Sequence, residues 1–226
     1  MHAPRHVKAA VLIAAAAALA ACSGANGAAS SGPSGPPAAS VSAAAAPLPG
    51  EAWAAARWVP YDAVAQGLSM PLPPDPAWTV ETSKDGWLIA RHGAAMTTLG
   101  VRWITTDGLA NRARCEARAR DQGALPDRAK GAVLEKRRVD LPSGFDTVLE
   151  VGLLSAEPGK PISGYLMAVG GWSKRCFVYV LTTTAQGRGA EAAVADRLAL
   201  FVERSFLKLR FESDLTPLVP RERPPR

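Results

Sequence analysis

The chain has 226 residues, 48% of them hydrophobic, and a formal net charge of +6. Its length allows one ordinary domain with a real core, once segments that do not fold are set aside. The positive excess is modest and no run of Lys or Arg appears, so the sequence lacks the electrostatic footprint of a nucleic-acid-binding protein.

The first element is an address. Arg5 and Lys8 precede an apolar, alanine-rich run that ends at Ala21. That run is too short to span a bilayer stably, since a spanning helix needs roughly 20 apolar residues. A basic start, a short apolar stretch and small residues at its end make a secretory signal peptide, over residues 1–21.

The run stops at Leu19-Ala20-Ala21-Cys22. This phrase resembles the bacterial lipobox. The resemblance implies a thioether to diacylglycerol on Cys22, cleavage before it and acylation of the new amino terminus. The other reading is an ordinary signal peptide with an incidental cysteine. Ser23, at a position where Asp tends to retain lipoproteins in the inner membrane, fits the pattern sent to the outer membrane. Removal of Arg5 and Lys8 would lower the net charge from +6 to +4.

Gly24 to Pro49 is almost wholly Ala, Gly, Ser and Pro and carries no charge. Such a composition buries too little apolar surface to offset its ordering entropy. Residues 22–50 therefore read as a lipidated cysteine and a tether, extending ~3 Å per residue when stretched.

A lead-in of extended or short-helical character follows over 51–76. Glu51 to Tyr61 suggests a short helix stopped before Pro60, and MPLPPDP reads as extended. Trp53, Trp58 and Tyr61 are expected to clasp the domain or to form part of a binding surface.

The domain proper is assigned to 77–212. Trp78–Thr82 and Trp87–Ala90 flank Asp85-Gly86, a hairpin signal, and Thr97–Ile104 forms a third strand. Residues 108–122 read as a helix capped by Asp107, with Leu109, Ala113 and Ala117 as a thin apolar stripe. Strands are expected over Ala132–Asp140, Phe145–Leu154, Ile162–Val169 and Lys174–Thr183. A helix over 189–206 places Val194, Leu198, Phe201 and Val202 on one face. Leu207–Phe211 alternates like a short edge strand, and 213–226 is a polar proline-rich tail.

The expected class is α+β: an antiparallel meander of about six to seven strands packed with two helices. Cys115 and Cys176 remain after export, and a disulfide between the first helix and the last long strand suits an oxidising compartment. Two free buried thiols or a metal pair are the alternatives. His92 is the one histidine left to complete a metal site.

The strand Cys176-Phe177-Val178-Tyr179-Val180-Leu181-Thr182 and the helix end Phe201-Val202-Glu203-Arg204-Ser205-Phe206 resemble the PsbP-like fold. Photosystem II extrinsic proteins and bacterial DcrB-type lipoproteins share that fold. The resemblance covers roughly residues 75–211 and implies a scaffolding or binding protein. The Cys115–Cys176 pair is not part of the general pattern.

No cofactor or catalytic motif is legible. His92, past a strand, reads as a surface or edge histidine. Asp146 and Glu150 read as charges on a solvated strand face. Gly187-Arg188-Gly189 reads as a strand-to-helix turn. Arg112, Arg114, Arg118 and Arg120, with Arg102, could form a basic strip for an anionic partner, or a plain solvated helix face. The expectation is a non-enzymatic envelope lipoprotein, held to the membrane through Cys22, that binds an unknown envelope protein. The alternative is a carrier or sensor of a small apolar or anionic ligand.

Overall fold

A computed structural model describes residues 49–211, except 130, 142, 143 and 158. Cys22 and the tail from 212 lie outside the described residues.

Among the described residues two antiparallel sheets form. The larger has seven strands: β3 (Trp78–Thr82), β4 (Leu88–His92), β5 (Thr97–Thr105), β6 (Ala132–Asp140), β7 (Asp146–Ser155), β8 (Ile162–Trp172) and β9 (Arg175–Ala185), in the order β3-β4-β5-β9-β8-β7-β6. The smaller has β1 (Val59–Ala63), β2 (Leu68–Leu72) and β10 (Arg210–Phe211), with β2 central. Among the described residues three α-helices accompany them: α1 (Pro49–Ala55), α2 (Arg112–Asp121) and α3 (Ala190–Arg204).

The α+β class stands, but the large sheet is not one continuous meander. Hairpins β3-β4-β5 and β6-β7-β8-β9 are each sequential, yet β5 lies beside β9 and β6 sits at the far edge. The chain from 106 to 131, including α2, therefore crosses one face of the sheet. Four strand spacings amount to about 19 Å, a distance that a hairpin cannot bridge.

Period-two alternation sends side chains to two different layers. Tyr165, Met167, Val169, Cys176 and Val178 face α2, together with Ile104. Leu166, Ala168, Phe177, Tyr179 and Leu181 face α3 and the small sheet. Close approach of each helix requires a glycine beneath it. A Cβ on Gly164 would lie 2.5 Å from Val194 Cγ1, and one on Gly171 would lie 2.8 Å from Cys115 Sγ.

The helix between β5 and β6, α2, begins later than expected. Asn111 caps it, accepting from the Arg114 N–H at 2.9 Å. Its buried face is Cys115 and Ala119, not Leu109, Ala113 and Ala117. The reason is covalent: the Sγ atoms of Cys115 and Cys176 are 2.06 Å apart, and the bond turns the cysteine toward the sheet. The closing helix, α3, buries Val194, Leu198, Phe201 and Val202 as its periodicity requires.

The lead-in is more ordered than its prolines suggest. Chain 59–72 makes the β1–β2 hairpin, with Pro60 opposite Pro71, so the expected helix ends at Ala55. β10 then joins β2 through Arg210 and Phe211. Trp103 fills the space between the sheets: its Nε1 donates to Gln66 O, and its ring centroid is 4.7 Å from that of Phe211 and 5.4 Å from that of Phe145. Trp53 is a clasp. Its indole is 1% exposed and meets Trp78, His92 and Phe201 at 5.1–6.0 Å. Arg204 Nη1 donates to the carbonyls of Trp53 and Ala56, closing the end of α1.

Candidate functional site

Four groups of polar or exposed side chains carry the chemistry of the surface and its lining.

The first centres on His92. Leu88, Ala90 and His92 alternate onto the core face of β4, and His92 is only 3% exposed, not a surface or edge residue. Its Nε2 is 2.8 Å from Asp75 Oδ2, and its Nδ1 accepts from the Ala95 N–H at 3.0 Å. That acceptance places the proton of the neutral ring on Nε2, which donates to Asp75. Trp53 Nε1 also donates to Asp75 Oδ2, at 3.3 Å. The Ala77 N–H is the leading cause that holds the Asp75 carboxyl below its usual range; His92 and Trp53 add to it, and burial opposes it. Both ring nitrogens are engaged, so neither faces a substrate. A general base in a Ser–His–Asp arrangement keeps one nitrogen free for the nucleophile. The group joins the segment before β3 to the β4–β5 turn.

The second centres on Glu150. The strand alternation that suggested a solvated face is correct in direction, but the chain after α2 covers that face. Glu150 is 1% exposed, whereas Asp146 is exposed. Glu150 Oε1 accepts from Tyr165 Oη at 2.8 Å and pairs with Arg128; Lys136 Nζ lies 2.9 Å from Oε2. Burial would raise the Glu150 carboxyl, but Lys136, Arg128 and Tyr165 together hold it below the usual range. Burial, then Glu150, pushes the Tyr165 phenol up to about 12. With Asp146 and Glu150 in different environments, no two carboxylates converge there for acid/base work.

The third is the set of arginines. Arg102 lies on β5, its guanidinium carbon 5.9 Å from the Trp87 ring centroid. On α2, Arg112 and Arg118 are half-buried, while Arg114 and Arg120 are exposed. Arg120 pairs with Glu116 at 2.9 Å, and Arg114 Nη1 donates to Leu109 O at 3.4 Å. The structure thus spreads these cations over one strand and several sides of a helix. Another arginine, Arg197, is buried within the molecule at 4% exposure; its Nη1 donates to Ala95 O, Thr184 O and Thr183 Oγ1. Burial lowers its pKa.

The fourth is an end of the large sheet. The Ala110 N–H donates to Ser173 O, bringing the loop before α2 against the β8–β9 turn. Leu109 and Trp172 flank this contact and are 77% and 55% exposed. Nothing in the local sequence distinguished Trp172 from the buried Trp53 or the partly buried tryptophans; its exposure follows from its place at a hairpin end.

An open groove of about 680 Å³ lies elsewhere, lined by Glu157, Lys160, Ile162, Gln186 and Glu191 among others. The space between sheet and α3 is filled by Leu166, Leu181, Val194, Leu198 and Phe201. Among the described residues no three His, Cys, Asp or Glu side chains gather in a metal-binding group. No described helix is long and apolar enough to cross a membrane.

Two antiparallel sheets, with α3 on one face of the larger and α2 on the other, make an α+β fold of the kind seen in Mog1p. Among solved structures, the chain is similar to Mog1p, a Ran-binding protein of Saccharomyces cerevisiae, with a TM-score of 0.51 and 10% sequence identity, covering 70% of this chain and 96% of that one. A Bacteroides thetaiotaomicron protein also matches, at a TM-score of 0.38 and 10% identity over 67% of this chain and 47% of that one. No family model and no curated protein matches the sequence.

Proposed function

We propose that the chain is a non-enzymatic lipoprotein of the bacterial cell envelope, anchored through Cys22 in the outer membrane and facing the periplasm, whose folded domain binds a protein partner. Leu19-Ala20-Ala21-Cys22 and the uncharged tether after it support the address. Several acyl chains would hold firmly, because each buried CH₂ contributes ~0.8 kcal/mol.

The observation that carries the binding half is the exposed pair Leu109 and Trp172 at one end of the sheet. Tryptophan anchors of this kind dominate the energetics of protein interfaces. Arg114, next to Leu109, would add a charge contact to an acidic partner. The occupied nitrogens of His92 and the separated environments of Asp146 and Glu150 favour binding over catalysis. That Mog1p is a Ran-binding protein fits a protein-binding role for the fold, at the level of analogy alone.

The test is the intact mass of protein extracted from membranes, followed by crosslinking in the intact envelope. A mass that begins at Cys22 with acyl groups is expected, and an unlipidated mass would remove the anchor. Crosslinks to a protein partner should be lost in Leu109→Ser/Trp172→Ser. Retention of those crosslinks would place the interface elsewhere.

A further inference from the structure

We propose that the partner surface runs beyond Leu109 and Trp172 to the β1–β2 turn, with Val64 as a further apolar anchor and with Lys174 and Arg175, between the anchors, meeting an acidic patch on a protein. This rests on the partner-binding role proposed for the domain and names the chemistry of that partner.

Strand alternation brings these residues together. Arg175 lies two residues before Phe177 on β9, and Trp172 lies four after Ala168 on β8, so both side chains leave the large sheet on the side that carries the small one. The two are cross-strand partners. The Arg175 guanidinium carbon is 6.0 Å from the Trp103 ring centroid. Trp103 Nε1 in turn donates to Gln66 O, at the end of the one-turn helix Val64–Gln66 that joins β1 to β2. Val64 is thus linked to Trp172 through three successive neighbours, and the packing of Trp103 on Phe145 and Phe211 fixes their spacing. Val64 is 87% exposed, more than either Leu109 or Trp172. Single exposed apolar residues are ordinary on a protein surface. Here they stand on turns that meet at one end of a sheet, and together these turns approach the breadth that a specific interface needs.

Charge decides the partner. Lys174 and Arg175 are exposed, and among the described residues neither pairs with a carboxylate. In the small sheet Asp62 and Arg210 both stand opposite Ser69 and offset one another. The carboxylates Asp146 and Asp140 lie on β7 and β6, beyond Trp172 and away from Val64. The ground between the two apolar anchors is therefore cationic and its far rim is acidic. A protein surface can match that division, whereas an anionic bilayer would be repelled along the rim.

Crosslinking of the full chain in the intact envelope tests this with Val64→Ser and Lys174→Glu/Arg175→Glu. Lys174→Glu alone guards against a fold defect from the lost Arg175–Trp103 contact, and Leu134→Ser, at an exposed residue of β6, is the control. Each variant at this end should cut the partner crosslink about fivefold or more, as for loss of an interface anchor. Lys174→Arg/Arg175→Lys should keep it, and so should Leu134→Ser. Full yield in Val64→Ser and Lys174→Glu, with loss in Leu109→Ser/Trp172→Ser, would overturn the extension and leave the partner-binding role standing. Full yield in all of them would overturn both. An equal loss in Leu134→Ser would also overturn the proposal, and so would binding of the wild type to phosphatidylglycerol vesicles in place of a protein crosslink.

Discussion

Tyr165 Oη donates to Glu150 Oε1 at 2.8 Å, although Tyr165 stands opposite Gly152, not Glu150, in the β7–β8 register. The ring lies diagonally because Gly152 has no side chain. A Cβ there would fall 2.6 Å from Tyr165 Cε1 and 2.4 Å from Ala132 O. Gly152→Ala should therefore destabilise by about 1–3 kcal/mol, the usual cost of overpacking. Urea denaturation should show a lower midpoint with an unchanged slope.

The same carboxylate sets a pH dependence. Its folded pKa is depressed, so the unfolded chain binds the proton more readily and stability rises with pH through this region. The contribution is fully present above the ordinary carboxylate value of 4.5 and is lost as pH falls through the depressed folded value. Asp75 acts in the same sense. Glu150→Gln should lower stability at pH 7 by about 1.5–3 kcal/mol, since it weakens charge-assisted bonds to Arg128 and Lys136, which keep part of their hydration. Its melting temperature should also fall less steeply than wild type below pH 4.5. Thermal melts between pH 3 and 7 read both.

At the other end of the core, Trp53 ties α1 to the aromatic cluster of Trp78, His92 and Phe201. Trp53→Ala should cost about 3–5 kcal/mol, as for other buried large aromatics. Trp58→Ala, at a partly buried indole that donates to Trp53 O at 2.9 Å, should cost less. Denaturant midpoints of the two variants give the comparison.

His92 offers a separate check on its structural role. His92→Leu leaves the buried Ala95 N–H without its acceptor and removes one donor from Asp75. Loss of a satisfied buried pair costs about 1–3 kcal/mol. The variant should be less stable by that amount while its crosslinks to partner remain, because the imidazole faces the interior. Loss of crosslinks at full stability would instead make His92 a contact residue.

Losing the disulfide should lower stability by ~4 kcal/mol, from the entropy of a loop closed across 61 positions. Calorimetry with and without dithiothreitol, beside Cys115→Ala/Cys176→Ala, measures it.

The strands and helices of the domain were legible because their signals are local. Leu149, Val151 and Leu153 alternate, and Val194, Leu198 and Phe201 recur at helical spacing, so these elements and the α+β class follow from nearest neighbours along the chain. The small sheet was not legible. Pro60 and Pro71 argue against strands locally, yet β1 and β2 pair, and β10 joins them from the other end of the domain.

By itself, then, the sequence determined the type of the large-sheet elements and their succession along the chain, the alternation along β7 and the identity of the two domain cysteines. Only the tertiary structure decided which faces are covered. Glu150 is buried because the crossing chain lays Arg128 over it, and His92 because Asp75 and Trp53 close on it from a segment before β3. Alternation fixes the side to which a residue points through steric geometry over two residues. Whether water remains on that side depends on contacts between chain segments far apart in sequence, and no local pattern encodes them.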